Sequence, residues 1–285
     1  MLYTIVGGDL RNIELGRLLA QDGNDVYMLG FAKEMVPSNV STSSIDNISN
    51  SHVIIAPLVL SYDDENINTP YSDKAIKIID VLNHLQPNQL FILGKPSVRV
   101  KKIMEDLSLQ YRDILQREEM AILNAIPTAE GAIQSAIENT TTTLHGSNCM
   151  ILGFGRIGKV LSKILSAMGA NVYVMARKEK DLAWIFAYGY NRIHPGALKE
   201  TVPLVDVIFN TVPSVILNYD VLSTLKKDVL IIDLASWPYG VNKDDAEKLG
   251  INVKFLPGLP GRIAPKTCAG FMKNTIYNII GEMEV

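Results

Sequence analysis

One segment of the chain joins an apolar run to an amphipathic helical pattern through a glycine-rich turn. The run Cys149–Leu152 meets the turn Gly153–Gly158, and apolar residues then recur at helical spacing as far as Met168. The first glycine permits a tight turn, the second lets a pyrophosphate approach the backbone, and the third allows close helix–strand packing. Free N–H groups at the helix N-terminus would face the phosphates. The segment predicts a dinucleotide-binding unit, and the alternative is an ordinary strand-turn-helix.

Apolar runs alternate with helical patterns along most of the chain, which is typical of βαβ units with a parallel sheet. The length of 285 residues predicts two α/β domains at about 150 residues each. Residues 1–125 are predicted to form a flavodoxin- or Rossmann-like domain, and residues 146–267 a doubly wound NAD(P)-binding Rossmann domain. Because the residue before Pro127 avoids helical conformation, we predict a break there and a hinge helix over 126–145. The final helix, about 268–285, is a candidate to pack back on the first domain.

The end of the strand that follows the glycine helix bears on the choice between NAD and NADP. There Val172–Met175 leads into Ala176, Arg177 and Lys178, with no carboxylate. An acidic residue at this point would bind the ribose 2′-hydroxyl and repel a 2′-phosphate, whereas an arginine offers that phosphate a fork of donors. The sequence therefore favours NADP(H). The alternative is two solvated cations at the start of a loop.

Turn-rich polar stretches follow three further apolar runs in the second half, beginning near Asn210, Ala235 and Pro257. Ligands of open parallel sheets bind at the carboxyl ends of the strands. We expect the first stretch to flank the phosphates and ribose of the cofactor, and the later two the nicotinamide and the substrate. The predicted cofactor-binding residues are Gly153, Phe154, Gly155, Arg156, Ile157, Gly158, Ala176, Arg177, Lys178, Thr211, Val212, Pro213, Leu234, Ala235 and Ser236.

Charge and cysteine placement exclude several classes of partner. The net charge is −3 and no basic run exceeds two residues, which argues against a nucleic-acid or anionic-membrane surface. The two cysteines lie far apart without a Cys/His cluster, so a disulfide framework and a metal site lack their ligands. No stretch approaches the roughly 18 apolar residues of a membrane span. We expect a cytoplasmic homo-oligomer that binds a small molecule.

None of the four histidines follows residue 194. D-2-hydroxyacid dehydrogenases share the two-domain plan but need an acid/base histidine in the second domain, so that chemistry is disfavoured. Candidate catalytic or substrate-binding residues are instead cations and polar groups expected near the cleft between the domains, where arginine would suit an acidic molecule. They are Arg262, Lys266, Ser236, Glu130 and Arg11. Alternatively, Glu130 favours the positive end of its own helix, and the cations of the last helix are merely solvated.

Several segments together resemble the family of dipicolinate synthase A subunits from endospore-forming bacteria. The resemblance covers essentially the whole chain, and the Pro127 and Pro257 segments are more specific than the glycine turn. Tyr239 departs from the family pattern, which more often has glycine there, so this loop would hold the substrate differently. The segments are 5–11, 126–132, 153–158, 234–241 and 256–267.

The resemblance implies an NADP-linked oxidation of a dihydrodipicolinate-type intermediate to dipicolinate, a pyridine dicarboxylate, in the mother cell of a sporulating bacterium. It further implies a second, flavoprotein-like subunit, the B subunit of dipicolinate synthase. A dicarboxylate substrate would suit the cations Arg11, Arg262 and Lys266. Two alternatives stay open: another NAD(P)-dependent amino- or hydroxyacid dehydrogenase of the same plan, and a nucleotide-binding regulatory or scaffold protein whose chemistry resides in the flavoprotein-like subunit.

Overall fold

The computed structural model describes residues 1–283, over which twelve strands and eleven α-helices are found. The strands are β1 (Leu2–Val6), β2 (Asp25–Leu29), β3 (Ser41–Thr42), β4 (Val53–Ile55), β5 (Leu90–Leu93), β6 (Gln110–Asp113), β7 (Asn148–Leu152), β8 (Asn171–Met175), β9 (Asn191–Ile193), β10 (Val207–Asn210), β11 (Leu230–Asp233) and β12 (Asn252–Phe255). The helices are α1 (Leu10–Gln21), α2 (Ile78–His84), α3 (Val98–Asp106), α4 (Glu118–Asn139), α5 (Arg156–Ala167), α6 (Glu179–Ala187), α7 (Leu198–Thr201), α8 (Tyr219–Leu222), α9 (Lys243–Leu249), α10 (Pro260–Ile263) and α11 (Pro265–Met283).

The chain divides into two compact units. Unit 1 comprises Met1–Asn124 together with the segment from Ala264, and unit 2 comprises Ala125–Ile263. Helix α4 begins in unit 1 and ends in unit 2, and the last helix, α11, belongs to unit 1. Over residues 1–283, every helix is too short or too polar to span a lipid bilayer.

Each unit contains one parallel sheet of six strands, ordered β3-β2-β1-β4-β5-β6 in unit 1 and β12-β11-β10-β7-β8-β9 in unit 2. If β7–β12 are renumbered 1–6 within unit 2 and the sheet is read from the β9 edge, its strand order is 3-2-1-4-5-6, the same as in unit 1. Both have the doubly wound Rossmann order, in which the strand order reverses beside the first strand. The predicted fold class, two α/β domains with doubly wound sheets, is confirmed.

Strand β7 shows why these apolar runs form buried parallel strands. Successive side chains of a strand point to opposite faces, and Cys149 and Ile151 join one hydrophobic cluster of unit 2 while Met150 and Leu152 join another. The sheet is therefore covered on both faces. This explains why the strand is continuously apolar rather than alternating.

The predicted break at Pro127 is wrong, because α4 continues through this residue from Glu118 to Asn139. Proline lacks an N–H group, so one helical hydrogen bond is lost at this point. The alanines at 125, 129 and 132 are each at most 1 % exposed, and their burial favours a continuous helix. The expected hinge helix over 126–145 is thus the second part of a longer helix that ends at Asn139.

Candidate functional site

The glycine turn after β7 has the geometry that a bound pyrophosphate requires. Gly153 has a φ of +100°, and a Cβ there would lie 2.6 Å from the Thr211 hydroxyl oxygen. A Cβ on Gly158 would lie 2.1 Å from the Gly153 carbonyl oxygen, so this glycine is needed for close helix–strand packing. A Cβ on Gly155 would meet nothing within 4 Å. The backbone at Gly155 therefore faces open space, as an approaching phosphate would need.

Helix α5 begins directly after Gly155 and presents an open N-terminus. Gly155 is the N-cap and is exposed, and no side chain caps the helix. The N–H groups of Ile157 and Gly158 and the positive end of the helix dipole are thereby left for an external anion. These residues fit the phosphates of a dinucleotide.

The strand next to β7 delivers the predicted residues Thr211 and Val212 to the same turn. The Thr211 hydroxyl donates to the Leu152 carbonyl oxygen at 2.8 Å, and its backbone N–H donates to the same oxygen at 3.0 Å. A Cβ built on Gly153 would lie 2.9 Å from a methyl carbon of Val212. Pro213 follows and is exposed. The ends of β7 and β10 thus form one continuous surface.

The strand on the other side of β7 brings the predicted ribose-binding segment to the turn. The Gly153 N–H donates to the Met175 carbonyl oxygen at 3.0 Å, which ties the turn to the last residue of β8. Ala176 is buried, whereas Arg177 and Lys178 are exposed. Because no carboxylate lies between Met175 and the start of α6, nothing in this segment repels a 2′-phosphate.

At the end of β11, Leu234 and Ala235 are buried and Ser236 is exposed. They follow Asp233, a fully buried carboxylate that accepts a 2.8 Å hydrogen bond from the side-chain amide of Asn210. The pair of Asn210 and Asp233 was not predicted from the sequence. The sequence signal for this pair is that each of the two polar residues ends an apolar run. A polar residue at such a point is equally typical of the beginning of a turn, so the signal is not specific.

Three of the candidate catalytic residues lie in unit 2. Ser236 and Arg262 both follow carboxyl ends of strands in the sheet, and the Arg262 guanidinium donates to the Pro257 carbonyl oxygen at 3.3 Å. Glu130 is an exposed residue of α4, in a groove with Ile133 and Ile164. Ser236 and Arg262 thus share the sheet edge of the glycine turn, whereas Glu130 lies on a helix.

The other two candidates, Arg11 and Lys266, lie in unit 1. The Arg11 guanidinium is paired with the Asp9 carboxylate, with bonds of 2.6 and 3.1 Å to one carboxylate oxygen, and its side chain is 13 % exposed. Lys266 is exposed. The pKa of Glu14 lies below its usual value, chiefly because Arg17 donates to it, and the nearby charge of Lys266 adds to this.

Neither cysteine is suited to nucleophilic chemistry. Cys149 and Cys268 are both buried as free thiols. Burial raises the pKa of Cys149 to about 12 and that of Cys268 to about 11, so both remain protonated at neutral pH. Among the described residues, no group of three or more His, Cys, Asp and Glu side chains could hold a metal ion.

Unit 1 also has a glycine turn after its first strand, but that turn is occupied by the chain itself. The Gly8 N–H donates to the Asn68 carbonyl oxygen at 2.8 Å, and a Cβ on Gly8 would lie 2.2 Å from the Asn12 side chain. The Asp9 carboxylate caps α1 by accepting from the Arg11 N–H at 3.0 Å. An acidic side chain of the protein thus already lies at this helix N-terminus. The candidate nucleotide site is therefore the turn of unit 2.

Two family profiles match the chain, one in each half. Residues 3–115 match the N-terminal domain of the dipicolinate synthase A subunit. Residues 120–237 match the NAD-binding domain of D-isomer-specific 2-hydroxyacid dehydrogenases. The second match covers the glycine turn and the ends of β8, β10 and β11. It identifies unit 2 as a nicotinamide-dinucleotide-binding domain of the oxidoreductase type.

Whole-chain relatives come from two Bacillus species. The dipicolinate synthase A subunit of Bacillus subtilis (strain 168) is 34 % identical over 284 residues, which span 98 % of this chain and 96 % of the relative. A crystal structure of the same enzyme's A subunit from Bacillus subtilis covers 100 % of this chain and 97 % of that one, with 33 % identity and a TM-score of 0.91. A crystal structure of the A subunit from Bacillus halodurans has 30 % identity and the same TM-score over 98 % of this chain and 97 % of its own.

Proposed function

The chain belongs to the family of dipicolinate synthase A subunits, and from this premise we propose that it oxidises a dihydrodipicolinate-type intermediate to dipicolinate with NADP. One observation carries the proposal: the open, uncapped glycine turn of unit 2 lies beside the carboxyl ends of β8, β10 and β11. Cofactor and substrate of an oxidoreductase on this fold would meet at that edge. The substrate class comes from the family.

The proposed choice of NADP over NAD rests on Arg177. It is exposed at the end of β8, where a 2′-phosphate would accept charge-assisted hydrogen bonds from its guanidinium. Lys178 adds a second positive charge. The N–H groups at the start of α5 would hold the pyrophosphate, and Thr211 with Val212 would flank the nicotinamide ribose.

NADP held at this edge would supply the acceptor for a hydride from one ring carbon of the substrate, and a proton would leave a neighbouring ring atom. Because the product ring is aromatic, a strong base is not needed for this step. Leu234 and Ala235 are buried and would exclude water beside the nicotinamide. Glu130 is the carboxylate that we propose as an acceptor for the proton.

The remaining candidates would recognise the two substrate carboxylates. The Arg262 guanidinium donates to the Pro257 carbonyl oxygen and would bind one carboxylate through its remaining donors. The Ser236 hydroxyl would donate a further hydrogen bond. Lys266 and Arg11 are proposed to contribute charge to carboxylate binding. For Arg11 this requires that a substrate carboxylate share the guanidinium with Asp9.

The family name designates one subunit of an enzyme. We propose that this chain acts with the flavoprotein-like subunit, as well as with further copies of itself, in the cytoplasm of the mother cell.

The proposed function is tested by measuring turnover. The purified chain would be incubated with NADP+ and dihydrodipicolinate, with and without the flavoprotein-like subunit, and NADPH formation would be followed by absorbance. We expect oxidation of dihydrodipicolinate and none of a panel of 2-hydroxy and amino acids.

The two alternatives give different results in the same assay. A hydroxyacid or amino-acid dehydrogenase would turn over a member of the panel instead of dihydrodipicolinate. A scaffold protein would bind NADPH without adding any oxidation to the rate that the flavoprotein-like subunit gives by itself. Either result would overturn the proposed reaction.

A further inference from the structure

The loop that carries Ser236 is tied at both ends to one buried carboxylate. Asp233 is 0 % exposed. One of its oxygens accepts from the Ala235 N–H at 3.0 Å, where the loop begins. The other accepts from the N–H groups of Gly240 and Val241, at 2.8 and 3.1 Å, where the loop ends. The 235–240 loop is thus closed around a single side chain.

The same carboxylate connects the loop to the cofactor-flanking end of β10. Asn210 donates to Asp233 at 2.8 Å, and its amide oxygen accepts from the Val212 N–H at 3.1 Å. A Cβ on Gly240 would lie 2.1 Å from the Asn210 amide nitrogen, so the end of the loop packs directly on this amide. Asp233 and Asn210 therefore fix the 235–240 loop and the backbone at Val212 relative to each other.

A buried carboxylate is costly unless donors satisfy it. Asp233 meets this condition only while the 235–240 loop holds its present shape, because three of its four side-chain hydrogen bonds come from the backbone of the loop ends. By contrast, the tip of the loop is open to solvent: Ser236 is exposed, and Trp237 is 82 % exposed. A rigid frame thus carries exposed side chains, among them Ser236 and Trp237, at the edge where cofactor and substrate would meet.

We propose that Asp233 is a positioning residue for the oxidation, holding the 235–240 loop so that Ser236 and Trp237 face the substrate. This inference rests on the proposed function of the chain. It assigns no direct contact between Asp233 and the substrate. The residue acts through the loop, and its removal is expected to reduce turnover more than cofactor binding.

The test is Asp233→Asn, which keeps the size of the side chain but replaces one acceptor oxygen with an NH2 group that faces N–H donors. With the flavoprotein-like subunit present, we expect kcat to fall by about 10- to 100-fold, the range that misplacement of reacting groups produces, while the Kd for NADPH rises by a much smaller factor. Gly240→Ala should give the same split, because its Cβ would displace the loop from the Asn210 side. If Asp233→Asn fails to fold, the kinetics of Gly240→Ala test the positioning role instead.

Asp206→Asn is the matched control. Asp206 also joins separate segments of the chain, because it accepts from the Asn148 N–H at 2.8 Å and from the Lys226 ammonium at 2.6 Å. It directly precedes β10, however, and so lies at the amino-terminal edge of the sheet, opposite the glycine turn. Its substitution should leave kcat and the Kd for NADPH unchanged.

A second readout reports on the loop without any turnover. The chain has two tryptophans, so in a Trp184→Phe background the fluorescence anisotropy of Trp237 measures the motion of the loop. We expect Asp233→Asn to lower this anisotropy and Asp206→Asn to leave it unchanged. If the wild type is active and folded Asp233→Asn has the same kcat and the same anisotropy as the wild type, the positioning role is overturned. The proposed function then stands. An inactive wild type would overturn the proposed function and the positioning role with it.

Discussion

The two units carry sheets of the same strand order, and in both of them the first strand leads through a glycine turn into a helix of 12 residues. The turns differ in what surrounds them. At Gly155 an added Cβ would meet nothing within 4 Å, whereas the N–H of Gly8 is bonded to the Asn68 carbonyl oxygen. One turn is open to an external phosphate, and the other is filled by its own chain.

The helix ends show the same contrast. The N-cap of α5 is a glycine without a side chain, whereas the N-cap of α1 is Asp9, whose carboxylate lies where an anion would bind. At the position of the third glycine, Gly158, unit 1 has the buried Asn12. Strand order alone therefore does not make a nucleotide site, since function depends on the groups placed on the fold. The groups at the first turn of each unit determine whether that turn is open to a nucleotide.

The largest expected effect is that of Gly155→Val. A branched side chain would occupy the space through which the pyrophosphate approaches the backbone, so we expect NADPH binding to be abolished. The fold should survive, because the added atoms point into open space. Titration with NADPH and circular dichroism measure the two outcomes. Unchanged affinity would mean that the open turn is only structural, which would break the contrast between the units.

The next largest expected effect is on the preference for NADPH over NADH. Arg177→Ala should weaken NADPH by about 10- to 100-fold and leave NADH nearly unchanged, because charge-assisted hydrogen bonds are worth roughly 1.5–3 kcal/mol, at about 1.4 kcal/mol per tenfold. Arg99→Ala, which removes an exposed arginine of unit 1, is the control for net charge. Equal losses of both cofactors in Arg177→Ala would contradict the NADP assignment.

The cations of the two units provide a third comparison. Arg262→Ala should lower kcat/KM by at least about tenfold, which corresponds to roughly 1.4 kcal/mol of transition-state stabilisation. We expect Lys266→Ala to impair synthesis as well, by a smaller factor, because a single ammonium lacks the bidentate geometry of a guanidinium. Steady-state kinetics of the two-subunit enzyme measure both. Wild-type efficiency in both variants would establish that these cations are merely solvated.

The smallest effect tests the filled turn of unit 1. Asp9→Ala removes the N-cap of α1 and the partner of Arg11, and loss of a cap costs about 1 kcal/mol of stability. We expect a lower midpoint of chemical unfolding and no change in NADPH affinity. Asp9→Asn retains a capping oxygen and should be destabilised less. A loss of NADPH affinity in either variant would indicate that the nucleotide binds at the turn of unit 1, contrary to the assignment of the site to unit 2.

Much of this architecture could be predicted because buried parallel strands are short apolar runs, and because the spacing of Gly153, Gly155 and Gly158 has a specific geometric meaning. The prediction of a break at Pro127 was wrong for a physical reason. The local preference of the preceding residue was outweighed by packing of the alanine face of α4, which depends on distant segments that sequence periodicity does not reveal.

The polar groups were harder to predict than the apolar ones. Asp233 is visible in the sequence as an acid after an apolar run, but its donors include Asn210, 23 residues away, and the backbone at Gly240. Arg11 could be named from the sequence as a candidate for binding an acidic molecule, whereas its pairing with Asp9 could not be predicted, because local ion pairs depend on the rotamers of both side chains. Composition indicates which groups are present, and only the fold shows which of them are already satisfied.

The most direct test of the contrast between the two turns is hydrogen–deuterium exchange of the wild-type chain with and without NADPH, read in peptides that cover each turn. Binding at the open turn should protect the backbone amides of 153–158 and of 176–178, and leave those of 7–12 unchanged. Protection of residues 7–12 without protection of 153–158 would contradict the account, because the nucleotide would then occupy the turn that the chain fills itself.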